Sequence, residues 1–359
     1  MTNLKGLVVG VGALGRHHAR ILSTMDGVSL VAVADSNRAN GEAVATNCHA
    51  RWVSDFRDVL GEIDFAIVAV PTIAHKPVAA ALLEAGIDVF VEKPLAMNPA
   101  DAQGLVEIAD EHSRVLQVGH IERFNPAFEA ALPNLRDVKY LRAERVSPYS
   151  FRSTDISVVL DMMIHDIDLI LSLVGESPKR VDAMGVSIFG DHADIAQARL
   201  LFPGGCVADL VASRVSPVTN RCLQTWSSAG CTQIDFGARK AISWSPSATL
   251  VYGTSPLERS RQPDCNIEQL KASVFGQYIQ QSDIPVAPQD QLTAELIDFL
   301  SAVRTRGVPR VDGRQGLAAM EVAEQITQSI ASHQWDGTSL GRVGPMVLRQ
   351  DNLHLRRAG

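Results

Sequence analysis

The 359-residue sequence has no C-x-x-C pair, no excess of basic residues and no long unbroken apolar run. Its five cysteines (Cys48, Cys206, Cys222, Cys231, Cys265) are scattered, which argues against a disulfide framework or a zinc site. They read as reduced thiols, and a cytoplasmic protein is expected. A net charge of −7 gives no global field that would favour nucleic acid or an anionic membrane. Nothing approaches the ~18 consecutive apolar residues of a membrane span. The apolar run at residues 7–14 is broken by glycines, passes straight into Arg16-His17-His18 and lacks a small-residue cleavage site, so it is not read as a signal sequence. No internal repeat or low-complexity tract appears. The remaining composition, 46% hydrophobic and 20% charged, is that of an ordinary globular chain long enough for two domains.

The first third carries a nucleotide-binding pattern. A short apolar strand at residues 4–9 is followed at once by Gly10-Val11-Gly12-Ala13-Leu14-Gly15 and a helical segment. A lone G-x-G-x-x-G is weak evidence, but here a second strand, at residues 29–34, ends in Asp35, 20 residues past Gly15. The first two glycines let the backbone turn and approach a pyrophosphate, and the third lets helix and strand pack closely. An acid at Asp35 accepts from both ribose hydroxyls and repels a 2′-phosphate, which predicts NAD over NADP, although Arg38 lies nearby. Helices and strands then alternate to residue 119, the signature of a parallel, doubly wound sheet. Pro71, Thr72 and His75 are placed at its carboxyl edge, where a nicotinamide would lie. His17 and His18 read as packing and solvent residues.

Val89-Phe90-Val91-Glu92-Lys93-Pro94 ends one of these strands at the rim. Proline confines Lys93 to extended backbone, and an ammonium there can hydrogen-bond a substrate hydroxyl. Further on, Glu122-Arg123-Phe124-Asn125-Pro126 leads into a helix, with Arg123 and Asn125 as candidates for holding a polar or anionic substrate. Residues 160–174 are apolar apart from Asp161, His165, Asp166 and Asp168. On a regular helix 161, 165 and 168 share a face, and a histidine one turn from an aspartate reads as a base oriented by an acid. A metal there would lack further ligands, and none is expected. Short strands with tight turns between residues 180 and 252 predict a mainly antiparallel sheet. One face of that sheet is left open and is expected to be buried in a homo-oligomer. Helices at residues 290–305 and 314–330 complete the reading. The predicted architecture is thus α/β: a nucleotide-binding domain at 1–120, a substrate-binding and oligomerisation domain at 121–333, and a tail at 334–359.

Taken together, Gly10–Gly15, Asp35, Val70-Pro71-Thr72, Glu92-Lys93-Pro94, Arg123-Phe124-Asn125-Pro126 and Asp161-x-x-x-His165 resemble the glucose–fructose oxidoreductase/inositol dehydrogenase (Gfo/Idh/MocA) family. They run in family order from residue 4 to about residue 331. The resemblance implies an NAD-binding Rossmann domain followed by an α/β domain with an open sheet. It places Gly10, Gly12, Ala13, Leu14, Gly15, Asp35, Arg38, Pro71, Thr72, His75, Glu92 and Lys93 at the cofactor. It makes Lys93, His165 and Asp161 the catalytic set, with Glu122, Arg123, Asn125, Tyr149 and Arg152 beside them on the substrate. Within the family, His120-Ile121-Glu122-Arg123-Phe124-Asn125-Pro126 and the 160–168 segment are similar to bacterial UDP-N-acetylglucosamine 3-dehydrogenases. Those oxidise the sugar 3-hydroxyl to a ketone, which an aminotransferase converts to an amine for lipid A in lipopolysaccharide biosynthesis. Thr154 to Leu160 stands where the family commonly has a glycine-rich approach to the D-x-x-x-H helix. Three other readings stay open: a dehydrogenase of another nucleotide-sugar, free sugar or inositol; an NAD-assisted glycoside hydrolase; and a non-catalytic NAD-binding protein.

Overall fold

A computed structural model describes residues 3–151, 156–189 and 192–333. The first sheet has six strands: β1 (Leu4–Val9), β2 (Val28–Ala34), β3 (Arg51–Val53), β4 (Phe65–Val68), β5 (Asp88–Glu92) and β6 (Leu116–Gly119). Between them lie α1 (Gly15–Leu22), α2 (Arg38–Asn47), α3 (His75–Glu84) and α4 (Pro99–Glu111), with a 3₁₀ segment, Phe56–Glu62, where no element is expected from the sequence. Every strand pair is parallel, in the order β3-β2-β1-β4-β5-β6. The order reverses between β1 and β4, which opens a crevice outside the carboxyl ends of those two strands. Local chemistry fixes the helix starts. Asn37 and Asn98 accept from the backbone N–H groups of Asn40 and Asp101, and Pro99 occupies the first turn of α4.

The second sheet has eight strands, ordered β14-β13-β12-β11-β7-β10-β9-β8 once numbered along the chain. α5 (Pro126–Ala131) leads into β7 (Tyr140–Val146), followed by α6 (Ile164–Val174). Next come β8 (Arg180–Val186), β9 (Ile195–Leu201), β10 (Val207–Ser213), β11 (Asn220–Ser227), β12 (Gly230–Asp235) and β13 (Lys240–Pro246). Three short helices, α7 (Ala248–Tyr252), α8 (Pro256–Ser260) and α9 (Ile267–Ser273), precede the edge strand β14 (Ile279–Ile284). All pairs are antiparallel except β7 with β10. One face carries Leu141, Ala143, Ala198, Leu200, Ala208, Leu210, Leu223 and Ile234, all buried. The other is a polar lattice: Tyr140 donates to Asp209, Arg199 pairs with Asp209 at 2.7 Å, and Asn220 donates to Glu144. All five cysteines are free thiols, and burial, aided by the nearby Asp235 and Glu144 carboxylates, pushes Cys222 on this face up to about 11.

The chain closes with α10 (Gln291–Thr305) and α11 (Gly313–Ser332). Here the structure divides the molecule differently from a cut at residue 120. One compact unit is Met1–Phe124 with Asp290–Glu324; the other is Asn125–Gln289 with the chain from Gln325 onward. The reason is hydrophobic. Leu296, Phe299, Leu300 and Val303 of α10 are buried in the same core as Val8, Val33, Ile67 and Phe90 of the parallel sheet. Phe299 meets Phe65 and Phe90 edge-on, at 5.8 and 5.9 Å between ring centres. The expected tail at 334–359 lies outside the described residues. Among the described residues, no helix is long and apolar enough to cross a membrane.

Phe299→Ala is expected to destabilise the first unit by about 3–5 kcal/mol, the cost of an unfilled aromatic site in a rigid core. A urea titration followed by NADH fluorescence would register it as an earlier midpoint with the slope unchanged.

Candidate active site

The turn after β1 is built for close approach. Gly10 has φ +82°, and a Cβ there would lie 2.8 Å from the Ala69 carbonyl oxygen. A Cβ on Gly15 would lie only 1.8 Å from the Gly10 carbonyl oxygen, so α1 packs against the loop as no other residue would allow. Gly12, Ala13 and Leu14 are exposed, and no side chain caps the start of α1. The Arg16 and His17 N–H groups bond back to the Gly12 and Leu14 carbonyls, so it is the exposed loop backbone ahead of them that faces a phosphate. Asp35 holds the loop from the side. Its Oδ2 accepts from the Val11 N–H (2.9 Å) and Asn40 Nδ2, and its Oδ1 accepts from the Asn37 N–H. Beside these residues is a cleft of about 490 Å³, lined by Gly10, Gly12, Asp35, Ser36, Arg57 and Pro71 among others. The backbone donors, the acid and the open volume fit the ADP portion of a dinucleotide. Arg38 lies over the Trp52 ring at 5.4 Å and pairs with Glu42.

Farther along the same edge, Pro71 is exposed and Thr72 half-buried. His75 is buried, with Nδ1 2.8 Å from the Pro94 carbonyl oxygen and Nε2 2.9 Å from that of Val70. Burial holds its pKa below the usual value despite those carbonyls, and the ring, lodged between two rim loops, is not presented to a ligand. Glu92 is also buried, its Oε1 2.7 Å from His18 Nε2. His18, read from the sequence as a packing or solvent residue, is in fact fully enclosed and hydrogen-bonded. Lys93 follows at the strand end, half-buried, before a cis peptide to Pro94. His120 is buried and pushed down to about 3, first by desolvation and then by the positive fields of Arg123 and Lys93, with Glu92 opposing. Glu122 and Arg123 are buried in a 3₁₀ turn, and Arg123 Nη2 is 3.4 Å from the Arg310 carbonyl oxygen.

In the second unit, the 160–174 segment departs from a regular helix. Val159–Met163, which contains Asp161, forms a π-turn, and α6 begins at Ile164, just before His165. Asp161 and His165 are half-exposed while Asp168 is buried, so the three do not form one uniformly open stripe. Asp166 is buried too and receives a bidentate bond from Arg145 at 3.0 and 2.8 Å, which fixes α6 on β7. Asn125 caps α5: its Oδ1 accepts from the Ala127 N–H and its Nδ2 donates to the Phe236 carbonyl. Tyr149 packs against Phe151 and Phe189, and Arg214 approaches its ring at 5.7 Å. Arg214 is itself paired with the buried Asp194. Arg152 lies outside the described residues. Among the described residues, no group of three or more His, Cys, Asp or Glu side chains is arranged to hold a metal.

The profile of the Gfo/Idh/MocA oxidoreductases, with an NAD-binding Rossmann fold, matches residues 4–120, and that of the family's C-terminal domain matches residues 136–230. The UDP-N-acetylglucosamine 3-dehydrogenase of Acidithiobacillus ferrooxidans is 31% identical over 92% of this chain and 98% of its own. The chain belongs to the Gfo/Idh/MocA family. It is an NAD-dependent oxidoreductase with the parallel and mainly antiparallel sheets expected of it. The solved structure of that same A. ferrooxidans enzyme superposes with a TM-score of 0.80 over the same share of both chains. The scyllo-inositol 2-dehydrogenase (NAD⁺) of Bacillus subtilis is 30% identical over 58% of this chain and 67% of its own. Levoglucosan dehydrogenase bound to NADH shares the fold, with a TM-score of 0.76 at 18% identity, covering 91% of this chain and 97% of that one.

Two measurements follow from this geometry. Asp35→Ala strands three donors and removes the acid, so NADH affinity should fall by about 10–100-fold in a fluorescence titration. His120 titrates near 3 when folded and near 6.5 when unfolded, so the unfolded chain binds the extra proton in between. Its contribution to stability is present above pH ~6.5 and lost progressively as pH falls toward 3. Comparing urea midpoints at pH 7 and pH 5, His120→Phe should show a smaller acid-side loss than the parent.

Proposed function

We propose that this oxidoreductase removes the hydrogen from the 3-hydroxyl carbon of UDP-N-acetylglucosamine, giving the 3-keto sugar. The observation that carries the reading is end-to-end similarity to an enzyme of that name, 31% identical over nearly all of both chains. Bound NAD supplies the hydride acceptor. The chain's own task is to manage the proton and the oxygen. Lys93, held extended at the end of β5, donates a hydrogen bond to the substrate oxygen as negative charge develops there. His165 takes the hydroxyl proton, with Asp161 orienting it or holding a sugar hydroxyl. Glu122 and Arg123, with help from Tyr149 or Arg152, hold the nucleotide-sugar. Asn125, whose amide is committed to a helix cap and a backbone carbonyl, acts by fixing the chain there.

The product ketone would pass to an aminotransferase, consistent with a role in lipid A and lipopolysaccharide synthesis in the cytoplasm. The polar face of the eight-stranded sheet is the surface we assign to a homo-oligomer, since its lattice of half-buried Tyr140, Asp209, Asn220 and Glu144 with the exposed Arg199 is ordered but not enclosed. A second reading, oxidation of an inositol, is favoured by the similarity to inositol 2-dehydrogenases, among them that of Rhizobium meliloti at 24% identity over 90% of this chain and 96% of its own.

Mixing purified protein with NAD and UDP-N-acetylglucosamine, with a ketone trap to draw the reaction forward, should raise absorbance at the NADH band. Lys93→Ala should lower kcat by at least about 100-fold, the scale of a lost acid–base group, while NADH affinity changes little. A signal with myo-inositol and none with the nucleotide-sugar would transfer the assignment to the second reading.

A further inference from the structure

His18 sits one turn into the helix that follows the phosphate loop, 74 residues before the acid it contacts. It is wholly buried, edge-on to Phe90 at 5.3 Å, and its Nδ1 is enclosed without a hydrogen-bond partner among the described residues. A proton on Nδ1 would therefore be buried with no acceptor, which places the ring N–H on Nε2, donating to Glu92 Oε1. The second carboxylate oxygen is confined as well, since a Cβ on Gly119 would come within 2.9 Å of it. Such a pair adds little to stability over an apolar pair of the same volume. What it does add is geometry. α1 is tied to the loop through Gly15 and Gly10, and through His18 to the strand end that carries Lys93.

We propose that His18 is a positioning residue for the reaction, coupling the phosphate-binding helix to Lys93 by holding the Glu92 carboxylate and its charge in place. Strand alternation sends Glu92 and Lys93 to opposite sides, so the coupling runs through the strand end and through the electric field rather than by side-chain contact. The fields of both act on the buried His120, with opposite sign. Without the His18 donor, the enclosed carboxylate loses the hydrogen bond that holds its charge in place, and the field it sets up at the end of β5 changes with it.

The kinetic part of the test rests on the substrate proposed above; the labelling part does not. Three variants of the full-length enzyme, saturated with NAD, are compared with the parent below their melting temperatures. His18→Leu removes the donor, His18→Gln restores an N–H at the Nε2 position, and Glu92→Gln removes only the charge. With UDP-N-acetylglucosamine as probe, His18→Leu should lose at least about tenfold in kcat with sugar KM within about threefold, and the descending limb of its pH–rate profile should move to lower pH by about half a unit or more. Without any sugar, trace acetic anhydride at pH 8 should acylate Lys93, relative to the exposed Lys240, at least about threefold faster in His18→Leu and Glu92→Gln than in the parent. His18→Gln should return kcat, the limb and the labelling ratio to within about twofold to threefold of the parent. Parent-like kcat and labelling in His18→Leu would overturn the proposal, as would a folded His18→Gln no better than the leucine variant. If His18→Leu does not fold, an unchanged labelling ratio in Glu92→Gln overturns it alone. If the parent does not turn over this sugar, the substrate assignment fails and the labelling ratios decide the role of His18.

Discussion

A parallel sheet has two hydrophobic faces, and both must be covered. The six strands of the first unit cannot meet that requirement with α1 to α4 alone, because Phe65 and Phe90 need a partner for their rings. The partner is Phe299, supplied by α10 from the far end of the sequence. Covering the sheet holds β1, β4 and β5 in fixed register, and that register places Gly10, Val70 and Lys93 along one edge. The crevice for the cofactor is thus a by-product of burying aromatic rings on the other side of the backbone.

Around Lys93 the buried groups act mainly on one another. His75 is lodged between the backbone carbonyls of Val70 and Pro94, and burial, then the fields of Arg123 and Lys93, keep His120 from taking a proton. His120 in particular does not exchange protons near neutral pH. This leaves a short supply of groups in the first unit that can change charge during a reaction, and Lys93 stands out among them as a half-exposed amine at the rim.

Much of this was legible in the chain because the signals are local. Glycines at three fixed offsets, an acid 20 residues on and apolar runs ending in polar pairs all speak within one β-α-β unit. What escaped was long-range or weakly patterned. β7 (Tyr140–Val146) carries Arg142, Glu144 and Arg145 and reads as polar chain, because Arg145 is buried only by virtue of Asp166. β14 (Ile279–Ile284) lies at a sheet edge with four exposed residues and has no alternation to detect. The apolar stripe of α10 announces a buried helix but not which sheet it covers. The π-turn at Val159–Met163 is not revealed by residue spacing. The pairing of His18 with Glu92 is invisible until the helix and strand are side by side.

The return of α10 also sets an order of events during synthesis. The parallel sheet leaves the ribosome first, but its missing cover follows only after about 165 intervening residues, the Asn125–Gln289 stretch of the other unit. At translation rates of roughly 5–20 residues per second, the rings of Phe65 and Phe90 wait some ten to forty-five seconds for Phe299. In that interval the nascent first unit is an apolar surface in search of a partner, and a chaperone that shields such surfaces would meet it there. The second unit has all its strands in hand before the first is whole.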